Sequence, residues 1–181
     1  MADFKKYLPI LKQVEGGFQA LPGDNGNYNS LGQLVGTNHG ISARFYESII
    51  KRPPTVADIK NLSLQYAQYL YKLHFWDKVH GDLIENQTIA NIVCDHAINA
   101  GESTIAKIVQ SILVHDFKKQ ISIDGNIGVN TVKAMNSVDQ NQLFAKIKEG
   151  RKNFYINIGG QFLSGWLQRL KSFIYIEEKK K

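Results

Sequence analysis

The chain has 181 residues, of which 43% are hydrophobic and 21% charged, with a formal net charge of +6. This is enough for one domain or two small lobes, and the composition excludes an intrinsically disordered chain. No run of about 18 apolar residues exists to cross a membrane, and Met1-Ala2-Asp3-Phe4-Lys5-Lys6-Tyr7 lacks the apolar stretch of a signal peptide. The expectation is synthesis in the cytoplasm, with any external action following release or an export route other than general secretion.

Taken in chain order, the pattern is almost entirely helical. Phe4, Leu8, Leu11 and Glu15 fall at helical spacing. Pro9 should kink this helix or mark a late start, and Gly16-Gly17 should end it. Residues 18–40 are rich in Gly and Asn and predict a long loop or a small irregular hairpin. A second helix fits Ile41 to Lys51, stopped by Pro53-Pro54. Thr55 with Asp58 reads as a capping signal, and Ser63 opens a helix through Leu73. Further helices are predicted over Asn86–Ala100, Ser103–Phe117, Thr131–Met135, Asp139–Ile158 and Phe162–Ile176, with a turn at 123–128. The single cysteine, Cys94, lies in an apolar helical run and reads as a buried, inert thiol.

Glu15 closes the first helix beside two glycines. The negative end of a helix dipole disfavours an ionised carboxylate, and glycines let a bulky ligand approach. A carboxyl held protonated near neutral pH suits proton donation to a leaving oxygen. Read locally, a surface residue at a helix end is the favoured reading of Glu15. Asp24, nine positions on, offers a second carboxylate, although read locally Asp-Asn-Gly is better explained as plain turn chemistry. The basic charge attracts polyanions, but no helix concentrates arginine as a DNA-reading helix would, so nucleic acid is not an expected partner. The histidines form no HExxH or Cys/His set, and Asp124-Gly125-Asn126 lacks the later ligands of a calcium loop. Neither a metal nor a cofactor is expected.

Six segments, in order over about residues 4–172, carry a resemblance. They are Val14-Glu15-Gly16-Gly17-Phe18, Thr37-Asn38-His39-Gly40-Ile41, Phe75-Trp76-Asp77, Asp95-His96-Ala97-Ile98-Asn99-Ala100-Gly101, Ile123 to Thr131, and Gly165-Trp166-Leu167-Gln168-Arg169-Leu170. Together they resemble glycoside hydrolase family 108, phage-related N-acetylmuramidases whose second half is a presumed peptidoglycan-binding region. The resemblance implies a mainly α, lysozyme-like fold, with a catalytic lobe over residues 1–100 and a helical peptidoglycan-binding lobe over 101–181. It implies a lysozyme that cuts the glycan strand between N-acetylmuramic acid and N-acetylglucosamine, inverting if the carboxyls stand apart, with bacterial peptidoglycan as partner. Glu15 takes the position of the catalytic acid, and Asp24 and Thr37 take those of the water-holding pair. Here the chain departs from the family's compact Asp-Pro-Gly-Gly-Ala-Thr pattern with a longer segment from Asp24 to Thr37, in which Ser30 is a competing hydroxyl. That departure keeps a non-catalytic wall-binding or export-associated module open as the alternative. Asn38, His39, Trp76, Asp95 and Asn99 are the positions expected at the substrate. Trp76 has core packing as its alternative role, and Asp95 with Asn99 a polar tie between helix and loop.

Overall fold

The structure, a computed structural model, describes residues 1–12 and 17–177, excepting the Lys12 side chain. It is mainly helical, with a two-stranded hairpin after the first helix, α1 (Phe4–Lys12). Pro9 lies inside α1, so the Lys5 carbonyl lacks its helical N–H donor there. The expected end of this helix at Gly16 falls outside the described residues. The chain divides into two compact units, Leu8–Tyr71 and Met1–Tyr7 with Lys72–Lys181.

The smaller unit opens with an irregular stretch and a 3-10 turn, Asn25–Asn27, before β1 (Thr37–Asn38) and β2 (Ile41–Ser42). The strands pair Thr37 with Ser42 and Asn38 with Ile41, so the loop is His39-Gly40 alone. Both loop residues have positive φ, 49° and 74°. That is the type I′ geometry whose twist matches a tight hairpin. The helix expected from Ile41 therefore starts later, as α2 (Ala43–Ile50), with the Ser42 hydroxyl accepting from the Phe45 N–H. Lys51 closes it in the left-handed region at φ 58°. Thr55 and Asp58 form a reciprocal capping box at the start of α3 (Val56–Lys60), and the Arg52 guanidinium forks onto the Asp58 carboxylate at 2.8 and 2.9 Å. α4 (Leu64–Tyr71) follows, and Val35, Ile41, Ala43, Ile59, Leu62, Ala67 and Leu70 are buried in this unit.

The larger unit is organised on α5 (Gln87–Ala100), where ten consecutive residues, Thr88 to Ala97, are buried. A helix buried all round needs neighbours on every side. α6 (Glu102–His115) and α8 (Gln140–Ile158) pack on it, while α9 (Leu163–Ser172) packs on α8 and α7 (Val129–Asn136) on α6 and α8. The ends follow the sequence signals: Asn86 caps α5 by accepting from the Ile89 N–H, and Asp139 caps α8 by accepting from the Gln142 N–H. Gly101, at φ 90°, ends α5 and starts α6. A π turn, Lys72–Trp76, replaces the expected last turn of the helix from Ser63. Cys94 is fully buried, and burial pushes its thiol well up from its ordinary value, as an inert core thiol requires.

Candidate functional site

In the smaller unit the chemistry gathers around one buried amide, Asn27. Asp24 caps the 3-10 turn, its Oδ1 accepting the Gly26 N–H at 2.8 Å. Its backbone carbonyl accepts the Asn27 N–H at 3.0 Å. The Asn27 side chain then ties three segments together. Its Nδ2 donates to Gln19 Oε1 and to the Leu21 carbonyl, and its Oδ1 accepts the Thr37 hydroxyl at 2.5 Å. Gln19 also pairs with Thr37 through backbone bonds in both directions, 2.8 and 2.9 Å. Asp24 and Thr37 are thus joined through one residue, despite the long segment between them. Gly36 permits this closure: its φ is 102°, and a Cβ there would lie 2.6 Å from the Gln19 carbonyl oxygen.

Two hairpin residues expected at the substrate have structural duties. Asn38 is buried, and its amide donates to the Ile59 and Lys60 carbonyls, both at 3.1 Å. Those carbonyls belong to the end of α3, where helical donors run out. Asn38 is therefore a tie between hairpin and helix. His39 supplies the turn's positive φ, and its carbonyl accepts the Tyr71 hydroxyl at 3.4 Å; its ring is half-buried. Ser30 presents its N–H to Glu47 Oε2 at 2.8 Å. Glu15, expected as the acid, lies outside the described residues.

In the larger unit Trp76 is 0% exposed. Its ring stacks on Tyr7 at 6.0 Å and meets Phe4 edge-on at 5.6 Å, and its Nε1 donates to Asp82 Oδ1 at 2.7 Å. Gly81 lies against the indole so closely that a Cβ there would fall 2.3 Å from Cε2. Trp76 thus presents no face to a sugar ring; the stacking role expected for it gives way to core packing.

Asp95 is also fully buried and centres an ion cluster. Arg151, itself fully buried, donates to Asp95 Oδ2 at 2.7 Å, to the Ile92 carbonyl at 2.8 Å and to the Tyr155 hydroxyl at 2.9 Å. Arg169 forks onto Oδ1 through Nε, at 2.8 Å, and a shorter contact from its terminal nitrogen. Burial, then the Asp95 charge, pushes the Tyr7 hydroxyl well up, so it stays a donor, 3.4 Å from Oδ1. The Asp95 carboxylate, expected to bind glycan, is instead enclosed by α1, α8 and α9. Asn99 is exposed one turn on, its amide donating to the Asp95 carbonyl at 2.7 Å. It keeps a surface from which to meet a ligand.

Sequence reasoning missed Asn27, Arg151 and Arg169 as organising residues. The Gly-Trp-x-x-Arg segment carried a signal for Arg169, but nothing local marked the other two. Among the described residues no three His, Cys, Asp or Glu side chains converge to hold a metal ion, and no helix is long and apolar enough to cross a membrane. The Asp124 turn is held by Gln110, whose amide donates to Oδ1 at 2.7 Å.

Residues 8–101, just over half of the chain, match the family model for glycosyl hydrolase 108. The chain belongs to glycosyl hydrolase family 108. Residues 104–171 match a second model, described as a predicted peptidoglycan domain. The solved structure of SagA from Brucella abortus has the same fold, with a TM-score of 0.72, 24% identity and 94% of each chain covered. No curated protein matches. The junction of the two family segments lies at Gly101, within the larger compact unit, so the segments of the family and the compact units of the fold divide the chain differently.

Proposed function

We propose that this glycosyl hydrolase is a muramidase that cleaves peptidoglycan between N-acetylmuramic acid and N-acetylglucosamine. The observation that carries the reading is the order of the two family segments: a glycosyl hydrolase segment ending at residue 101 and a predicted peptidoglycan domain beginning at 104. The first supplies the reaction type and the second names the polymer. Its place of action is then the bacterial wall, reached after release or export.

In this mechanism Glu15 protonates the leaving glycosidic oxygen while Asp24 takes a proton from water attacking the opposite face, inverting the anomeric centre. Asp24 is exposed, and Oδ1 takes the Gly26 N–H, which leaves Oδ2 as the acceptor for that proton. Thr37 has spent its hydroxyl proton on Asn27, so its oxygen accepts from the same water. The water then has two acceptors, one basic and one neutral, which fixes a lone pair toward the sugar. Asn99 and the half-buried His39 remain candidate hydrogen-bonding contacts to the glycan.

The test is to digest purified peptidoglycan, reduce the products with borohydride, and identify the reduced ends by mass spectrometry. New N-acetylmuramitol ends are expected. N-acetylglucosaminitol ends would replace the proposal with a glucosaminidase. Retention of the protein on the wall without any new ends would favour a non-catalytic wall-binding module.

A further inference from the structure

The segment between Asp24 and Thr37 and α2 line an open groove of about 540 Å³. Small-molecule sites occupy roughly 300–1,000 Å³. Its walls include Asn25, Tyr28 and Ser30 from the segment and Arg44 and Glu47 from α2. The segment is held in shape before any ligand arrives. Buried Asn29 donates to Gln33 Oε1 at 2.8 Å and to the Pro54 carbonyl at 3.1 Å, and accepts from the Leu31 and Gln33 N–H groups. Tyr28 is half-buried, its hydroxyl fixed on the Pro22 carbonyl at 3.2 Å.

The charges in this groove are unequally used. Glu47 Oε2 accepts the Ser30 N–H, and Oε1 is left for a ligand donor. Arg44 is exposed and makes no ion pair among the described residues, with Glu47 or any other carboxylate. A planar guanidinium at the edge of an open groove is suited to a carboxylate, which it grips with two parallel bonds. A carboxylate acceptor one helical turn away suits an N–H or O–H donor, and the Tyr28 ring offers an apolar face. The matching ligand has a carboxylate, an amide or hydroxyl donor and an apolar ring face.

We propose that this groove is a subsite for a carboxylated N-acetyl amino sugar, with Arg44 binding the carboxylate and Glu47 a hydroxyl or amide N–H. The identification of the sugar rests on the peptidoglycan reading above. In that polymer the carboxylate sits on the lactyl group of muramic acid or on the peptide attached to it. Asn25 brings the subsite next to Asp24, so Arg44 selects which sugar of the alternating strand lies beside the reacting bond.

The test uses the full chain and three probes, with binding followed by backbone NMR shifts. N-acetylglucosamine has no carboxylate, N-acetylmuramic acid carries the lactyl one, and muramyl dipeptide carries one on its peptide. At least one carboxylated probe should perturb residues 25–48 and bind about tenfold or more tightly than N-acetylglucosamine, the worth of one charge-assisted bond. Arg44→Gln should erase that preference; Arg44 is exposed and forms no ion pair among the described residues. Whether one or both carboxylated probes show it assigns the carboxylate to lactyl group or peptide. Equal binding of all three probes, shifts confined to other residues, or an unchanged preference in Arg44→Gln would overturn the proposal. Peptidoglycan digestion by the same preparations separates the two readings. Muramitol ends without probe selectivity would remove the subsite and leave the muramidase; selective binding without new ends would do the reverse.

Discussion

Replacing Asp95 by asparagine is expected to destabilise the larger unit severely. Among the described residues the wild-type carboxylate is the one anion paired with these two guanidinium groups, those of Arg151 and Arg169, and both it and Arg151 are fully buried. Asparagine keeps the shape but removes the charge and turns an NH₂ donor toward N–H groups that need an acceptor. Arg151 would then keep its bonds to the Ile92 carbonyl and Tyr155 hydroxyl with no counter-charge. Breaking a buried pair this way costs about 3–5 kcal/mol. At about 2–4 °C per kcal/mol for a chain of this size, the melting temperature should fall by roughly 6–20 °C. Urea unfolding followed by circular dichroism should show a lower midpoint with an unchanged slope. Removing the charges together, as Asp95→Leu with Arg151→Met, should cost less than the two single changes summed. A loss below about 1 kcal/mol in Asp95→Asn, with weakened substrate binding, would refute the structural role and return Asp95 to the glycan site.

Two further perturbations test the packing. Gly81→Ala should destabilise by about 1–3 kcal/mol or more, because the methyl would enter the space of the buried Trp76 indole; a wild-type melting temperature would show that the indole can move. Burial first, then the Arg151 charge, lowers the His96 imidazole to about 3 from its ordinary 6.5. Between those values the unfolded chain binds a proton that the folded chain refuses. Stability linked to His96 is therefore whole above pH 6.5 and declines as the pH falls toward 3. Urea midpoints from pH 7 to 4 should decline less steeply in His96→Phe than in wild type, whereas parallel curves would show that His96 titrates normally.

The helices of this protein are written locally. Asn86, Asp139, Thr55 with Asp58, and Gly101 each mark a helix end that the structure places within a residue or so of where the sequence does. The hairpin was legible only as a Gly- and Asn-rich stretch, because its register depends on two positive-φ residues, one of them a histidine. What the sequence hides is set by distant contacts. Arg151 sits among Lys and Glu in α8 and reads as a solvated face, yet its partner is 56 residues earlier. Trp76 reads equally as platform or core until Phe4, Tyr7 and Gly81 are seen to enclose it. Asn27 looks like one of several turn asparagines, and its role appears only when Gln19 and Thr37 converge on it. The junction at Gly101 is a boundary of sequence families, whereas compactness follows the packing of buried α5 against helices on its far side.

The proposed reaction is hydrolysis of peptidoglycan with Glu15 as the general acid. The most direct test is release of reducing ends from purified peptidoglycan by wild type and by Glu15→Gln, which keeps the side chain's size but has no proton to give. Wild type should release N-acetylmuramic acid ends and Glu15→Gln should lose that activity by at least about a hundredfold, the lower worth of a positioned proton donor. Equal release by both proteins would overturn the role of Glu15 and place the chemistry on another residue.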